Sequence, residues 1–283
     1  LAPFAGGNEA ALKDVDTAIA NFNERNASEA ASLKAQEEFM NWNHKGWEGL
    51  GAFDSKERKL ANDLLGFKAS IVFPTVAFDQ VLASKDKKVV LGGIKALNRG
   101  MSAFCQDDAR LLGAAYIPFG YGEDIALKFL KEAINKGFSL ILIDTIAPLG
   151  AKAFTHPDFD VVWREIEEAD IAVTLHVGAD SSWDPIPLSF YNNGGSVPEH
   201  TAGDAPRDAL AYMGIQYNAE IFLASMIFDG VFQRFPNLRV GVVELGASWI
   251  ISWMKQLDQS FRAFRRLQDL SHLKLLPSEY VLK

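Results

Sequence analysis

The sequence predicts an α/β fold of the TIM-type (β/α)8 barrel class, and three observations carry that expectation. Five short, β-branched apolar runs alternate with amphipathic helical stretches, the signature of βαβ units and a parallel sheet. Each run stops on proline, glycine or a polar residue, as a strand buried on both faces does where it meets a loop. No G-x-G-x-x-G or Walker-type glycine motif follows any run, so a nucleotide-binding doubly wound sheet is unsupported. At 283 residues the chain fits one barrel domain. The expected layout is a single domain over 1–283, with an N-terminal helical and loop segment over about 1–54 and a long loop insertion over about 179–207.

Leu12, Val15, Ile19 and Phe22 recur at three-to-four spacing and predict a helix, and Ala27 to Met40 reads as a second. Residues 41–51 hold too many Gly and Asn for a regular element, and read as a loop anchored by Trp42 and Trp47, with His44 a loop residue. Ser55 to Leu65 is helical. Lys68 to Thr75 is the first strand, Lys87 to Cys105 a helix, and Leu111 to Pro118 the second strand. Glu123 to Asn135 is a helix stopped by Gly137. Ser139 to Thr145 is the third strand, and a helix opens at His156 and runs to Ala169. Ile171 to Val177 is the fourth strand. The long loop of 179–207 then interrupts the rhythm with Pro, Gly, Ser and Asn, the composition of a lid or wall of a binding site. Asp208 to Phe235 is helical with a break near Gly214, Leu238 to Gly246 is the fifth strand, and Ala247 to Leu267 is the last helix.

Bulk properties remove several function classes. The formal net charge of -8 argues against a phosphate-backbone partner, which needs a basic footprint. One cysteine, Cys105, rules out an internal disulfide and suits a reducing, cytoplasmic compartment. No apolar run is long enough for a transmembrane helix, and the N-terminus lacks the basic region of a signal peptide. The expected partner is a small-molecule substrate, with neither nucleic acid nor membrane involved.

Parallel α/β folds place reactive groups at the C-terminal ends of strands. Those positions read Thr75, Pro118, Asp144, His176 and Glu244. A charge there is expensive unless it is paired, protonated or bound to a metal. An imidazole with nearby carboxylates is the raw material of a divalent metal site or of general acid–base chemistry. The structural alternative for Asp144 and Glu244 is an ion pair with Arg99 or Arg239, or a cap on the following helix. A serine hydrolase lacks its G-x-S-x-G elbow. Cys105 falls within a helix and reads as packing, His156 as a cap, and His272 as an inert residue on a polar helix face. His200, Trp183, Phe190 and Tyr191 in the long loop are candidates for the wall of a site, and the aromatics point to an apolar or aromatic ligand.

Several of these stretches together resemble a known family. They are Ala96 to Cys105, Asp108 to Pro118, His156 to Asp160 with Trp163, Thr174 to Gly178, and above all Phe222 to Arg239 leading into Val243 to Trp249. Their order and spacing are similar to the amidohydrolase-related (amidohydrolase 2) family of the metal-dependent hydrolase superfamily, which includes aminocarboxymuconate-semialdehyde decarboxylase. The resemblance covers about residues 57 to 283.

It implies a (β/α)8 barrel with one divalent metal, zinc first and manganese or iron as alternatives. It also implies a homodimer, and either hydrolysis by a metal-activated water or non-oxidative decarboxylation of an aromatic or muconate-type acid. His176 falls on the family's fifth-strand histidine, a metal ligand. The position after the sixth strand, a catalytic histidine in many of the decarboxylases, is Glu244 here, which favours a carboxylate base. Asp144, His200 and Trp183 are then the expected substrate contacts. The family's first-strand His-x-His pair and eighth-strand aspartate are not found, so the expectation is a chain recorded without its first and last barrel strands. A small-ligand-binding barrel without turnover is the reading outside catalysis.

Overall fold

The structure is a computed structural model. It describes residues 20, 27–28, 51–52, 54–74, 81–82, 84–144, 152–177, 190, 194 and 209–282. The two helices and the tryptophan loop expected before residue 51 lie almost wholly outside the described residues. So do Thr75, Trp183, Tyr191, His200 and nearly all of the 179–207 insertion. The chain forms two compact units, Leu1–Ala114 and Ala115–Lys283.

In the first unit, helix α1 (Ser55–Leu65) starts where the Asp54 carboxylate accepts from the amides of Lys56 and Glu57. It ends on Gly66 at φ +70°, the left-handed conformation that glycine adopts without a Cβ penalty. Strand β1 (Ser70–Val72) follows, then α2 (Lys87–Cys105), capped by Asp86. β2 (Leu111–Tyr116) runs parallel to β1, with Ser70 opposite Leu111. The turn into β2 is fixed by Arg110, which pairs with Asp108 at 2.8 Å and Asp63 at 2.7 Å. Gly113 is required by close packing: a Cβ there would meet Met101 Cγ at 2.8 Å and Cys105 Sγ at 3.0 Å. Cys105 is thus a packing residue, as expected.

The second unit carries a 3₁₀ turn (Phe119–Tyr121), α3 (Glu123–Asn135), β3 (Leu140–Leu142), α4 (Asp160–Glu168) and β4 (Ala172–His176). It continues with α5 (Ala209–Met213), α6 (Tyr217–Phe228), α7 (Val231–Arg234), β5 (Arg239–Val243), α8 (Ile250–Phe264) and α9 (Pro277–Val281). The five strands follow one another in chain order across the sheet, and β3–β4 and β4–β5 are parallel. This is the strand succession of a (β/α) barrel.

Ile141, Ile143, Val173 and Leu175 are 0–1% exposed and form the apolar face beneath the helices. Trp163, wholly buried on α4, packs 5.0 Å from the Phe119 ring and donates from Nε1 to Phe154 O at 2.9 Å. Burying each such side chain is worth ~1.5–3 kcal/mol. The cluster therefore anchors the helical layer that holds the far ends of β3 and β4 in place.

Three elements differ from the sequence expectation. The strands are shorter than the apolar runs, because ladder pairing stops where the chain turns away. The 208–235 stretch is three helices, broken at Gly214 as expected and again at Gly230, whose φ of +74° interrupts the helix. His272 lies beyond α8, outside any helix, and shares a hydrogen bond of 2.8 Å between Nε2 and Phe228 O.

Candidate active site at the strand ends

Asp144, His176 and Glu244 all sit at C-terminal strand ends of the second unit. Leu142 of β3 is paired with Thr174 of β4, and the Ile143 amide donates to Thr174 O at 3.2 Å, extending the ladder by a step. Two residues further along each strand come Asp144 and His176. Side chains alternate with a period of two, so both belong to the face shared by Leu142 and Thr174.

His176 is paired with Val243 of β5. Strict alternation would send the next residue, Glu244, to the opposite face. It does not, because Glu244 leaves the strand at φ +61°, one of two described non-glycine residues with positive φ. That left-handed step redirects the side chain. Glu244 Oε2 lies 3.5 Å from His176 Nε2. A glutamate in this region carries strain, of the kind held where structure or function demands it.

The imidazole is oriented from its other nitrogen. His176 Nδ1 lies 2.8 Å from the Val177 carbonyl oxygen, which can only accept. Nδ1 therefore bears a proton, and Nε2 faces Glu244. A backbone carbonyl holding the distal N–H in this way is the usual support of a metal-ligating histidine. Arg239 pairs instead with Asp170 at 2.7 Å, at the opposite end of β5 from Glu244.

Asp144 is 1% exposed, and one of its carboxylate oxygens, Oδ2, accepts from the Tyr116 hydroxyl. Its other oxygen, Oδ1, is buried with no hydrogen-bond partner. Burial pushes this carboxyl up to about 7, against the opposing pull of the Tyr116 bond. Tyr116 is held well above its ordinary range, by burial first and then by the Asp144 charge. Tyr121 is raised by the same two causes in the same order. Tyr116 was the residue that sequence reasoning passed over, because it closes an apolar run and reads as core. Its place at the end of β2, level with the other strand ends, was the available signal.

His156 takes the capping place expected of it. His156 Nδ1 accepts from the Asp158 amide at 3.2 Å and caps the turn before α4. A cavity of about 460 Å³ lined by Leu223, Ile227, Trp253, Tyr280 and Arg239 lies at the opposite end of β5 from Glu244 and contains no acid.

The amidohydrolase family model matches residues 67–273. The chain belongs to the amidohydrolase family. No curated protein matches the chain. Solved structures do. An amidohydrolase from Mycobacterium avium subsp. paratuberculosis K-10 superposes with a TM-score of 0.64 at 17% identity, over 81% of this chain and 56% of its own. The 2,6-dihydroxybenzoate decarboxylase from Rhizobium gives 0.53 at 20% identity, over 75% and 61%. The 5-carboxyvanillate decarboxylase from Novosphingobium aromaticivorans, solved with manganese and 3-methoxy-4-hydroxy-5-nitrobenzoic acid, gives 0.55 at 21% identity, over 78% and 59%. The chain thus spans less than two thirds of each of these structures, and the shared feature is the amidohydrolase barrel fold. His176, Asp144 and Glu244 stand at C-terminal strand ends of that fold.

The donor set suits a divalent cation. Imidazole and carboxylate oxygen are ordinary zinc and manganese ligands. Among the described residues no group of three or more His, Cys, Asp or Glu could hold a metal. None of the described helices is long and apolar enough to cross a membrane.

Proposed function

We propose that this amidohydrolase-family chain belongs to a metal-dependent hydrolase acting on a small organic acid, amide or ester, with an aromatic substrate favoured. The observation that carries the reading is the His176–Glu244 pair: a tautomer-fixed Nε2 and a carboxylate oxygen 3.5 Å apart at adjacent strand ends. His176 is the metal ligand and Glu244 the general base. When bound, a divalent cation supplies Lewis acidity that lowers the pKa of a water toward ~7. Glu244 receives the proton from the attacking water and returns it to the leaving group. Val177 keeps the imidazole from rotating. Asp144 lies on the face of His176 and contacts substrate, with His200 and Trp183 contributing from the insertion. Zinc is the preferred ion, the working assembly a homodimer and the compartment the cytoplasm.

Non-oxidative decarboxylation is the second reading, supported by the names of two of the similar structures. The two reactions separate on products: a panel of aromatic acids, amides and esters is incubated with the zinc- or manganese-supplemented protein, and carbon dioxide is assayed alongside hydrolysis. Metal analysis of the same sample tests both. Absence of bound metal after supplementation overturns the metal-dependent readings and leaves a ligand-binding barrel.

A further inference from the structure

The cavity of about 460 Å³ beside the N-terminal end of β5 falls in the size range of small-molecule sites, ~300–1,000 Å³. Its lining is mostly apolar: Leu223 and Ile227 of α6, Phe232 of α7, Trp253 of α8 and Tyr280 of α9 all face it. Ile227, Trp253 and Tyr280 also belong to the core that ties those helices together, so these walls are fixed by packing.

Two donors interrupt the apolar lining. Trp253 is 6% exposed. The indoles of Trp163 and Trp249 donate to backbone carbonyls. The Trp253 N–H meets no acceptor among the described residues, yet its Nε1 is not sealed from open space. A buried indole N–H usually has a partner. Arg239 is the one charge among the lining residues. Its side chain is 57% exposed, which places the guanidinium at the mouth. Nη2 pairs with Asp170, and that carboxylate is so exposed that the pair holds the arginine weakly. Nε and Nη1 have no acceptor among the described residues. Glu167, a second acid touching this rim, accepts from the Asn237 amide at 2.7 Å. A cation at the mouth and one donor inside an apolar cavity are together complementary to an apolar acid that carries a second oxygen.

We propose that this cavity is a second small-molecule site, which takes an apolar oxo-carboxylic acid. The carboxylate pairs with Arg239, the chain lies against the apolar walls, and a carbonyl along the chain accepts from Trp253. The site stands apart from His176 and Glu244, because Arg239 opens β5 and Glu244 follows its last residue. It does not depend on the hydrolase reading.

Titration calorimetry of the metal-free full chain with decanoate, decanol and the mid-chain oxodecanoates tests this. Decanoate is expected to bind about tenfold more tightly than decanol, and at least one oxodecanoate about fivefold more tightly than decanoate. Arg239→Gln, at an exposed position, brings decanoate down to the level of decanol, whereas Arg239→Lys keeps the preference for the acid. Trp253→Phe removes the oxo preference and leaves decanoate unchanged; loss of both acids alike in that variant would show a packing role only and overturn the inference. His176→Ala leaves every affinity as it was. Decanol binding as well as decanoate, or decanoate binding as well as every oxodecanoate, overturns the inference. So does failure of all these ligands to bind. Loss of binding in His176→Ala with retention in Arg239→Gln places the acid at the strand ends and overturns it too.

Discussion

At Glu244 the backbone and the chemistry pull in opposite directions. The left-handed conformation costs an L-residue ~1–2 kcal/mol, and here it is what turns the carboxylate toward His176. Glycine removes that penalty, though it also gains ~0.4–1 kcal/mol of unfolded-state entropy. Glu244→Gly is therefore expected to be more stable than Glu244→Ala by up to ~1 kcal/mol in urea unfolding. Both should lose activity, as should Glu244→Gln, whose kcat is expected to fall ~10²-fold or more for want of a base. A glycine variant less stable than the alanine variant would show that the strain is not real.

Asp144 gives a pH signature of definite sign. Its folded carboxyl is raised to about 7, against ~3.9 for an unfolded aspartate. Between those values the native state holds a proton that the unfolded state has released. Stability from this group is complete below pH ~4 and is lost as pH rises through ~7, a change on the order of a few kcal/mol. The difference in unfolding free energy between wild type and Asp144→Asn should accordingly grow from pH 5 to pH 8, with the variant gaining relative to wild type. A difference that is flat across that range would mean the carboxyl is not desolvated. At this scale the site was only partly legible. His176 and Glu244 stood out as charges ending apolar runs, whereas their approach depends on one φ angle that no residue pattern encodes. Tyr116 was hidden for the opposite reason: its type is common in cores.

For the secondary structure elements the sequence was more explicit, since period-two and period-3.6 patterns both survive into the fold. All five apolar runs are strands, and the glycine after α3 occupies φ +80°. Strand lengths were overestimated because apolar residues continue past the last paired residue into the site. The second break in the 208–235 stretch was missed because Gly230 sits in a nearly uniform apolar run, where periodicity gives no phase. Its role is nonetheless sharp. At φ +74° it separates α6 from α7, and a Cβ would approach His272 Cδ2 to 2.7 Å. Gly230→Ala combines an unfavourable backbone with that contact, so a loss of ~1–3 kcal/mol is expected. Gly113→Val should cost as much by overpacking against Met101 and Cys105. An unchanged urea midpoint for either variant would mean that the packing at that position yields freely.

At the level of the whole molecule an ion held at His176 would couple to folding, because a site assembled from separate strands exists only in the native state. His176 and Glu244 belong to β4 and to the end of β5, and their 3.5 Å separation exists only while that parallel ladder is intact. An ion that binds the native state alone stabilises it by RT ln(1 + [L]/Kd), ~2.7 kcal/mol at a hundredfold excess over Kd. For a protein of this size that corresponds to a rise of ~5–10 °C in Tm. Zinc or manganese chloride should therefore raise the melting temperature of the full protein, and magnesium, which prefers oxygen ligands in octahedral geometry, should do so less. His176→Ala should abolish the shift and reduce retained metal after gel filtration, while Gly230→Ala, far from the ligands, should melt lower yet keep the same increment. If the histidine variant retained metal and the full increment, His176 would be excluded as a ligand. If the ion shifted neither protein, the metal-dependent reading would fail with it.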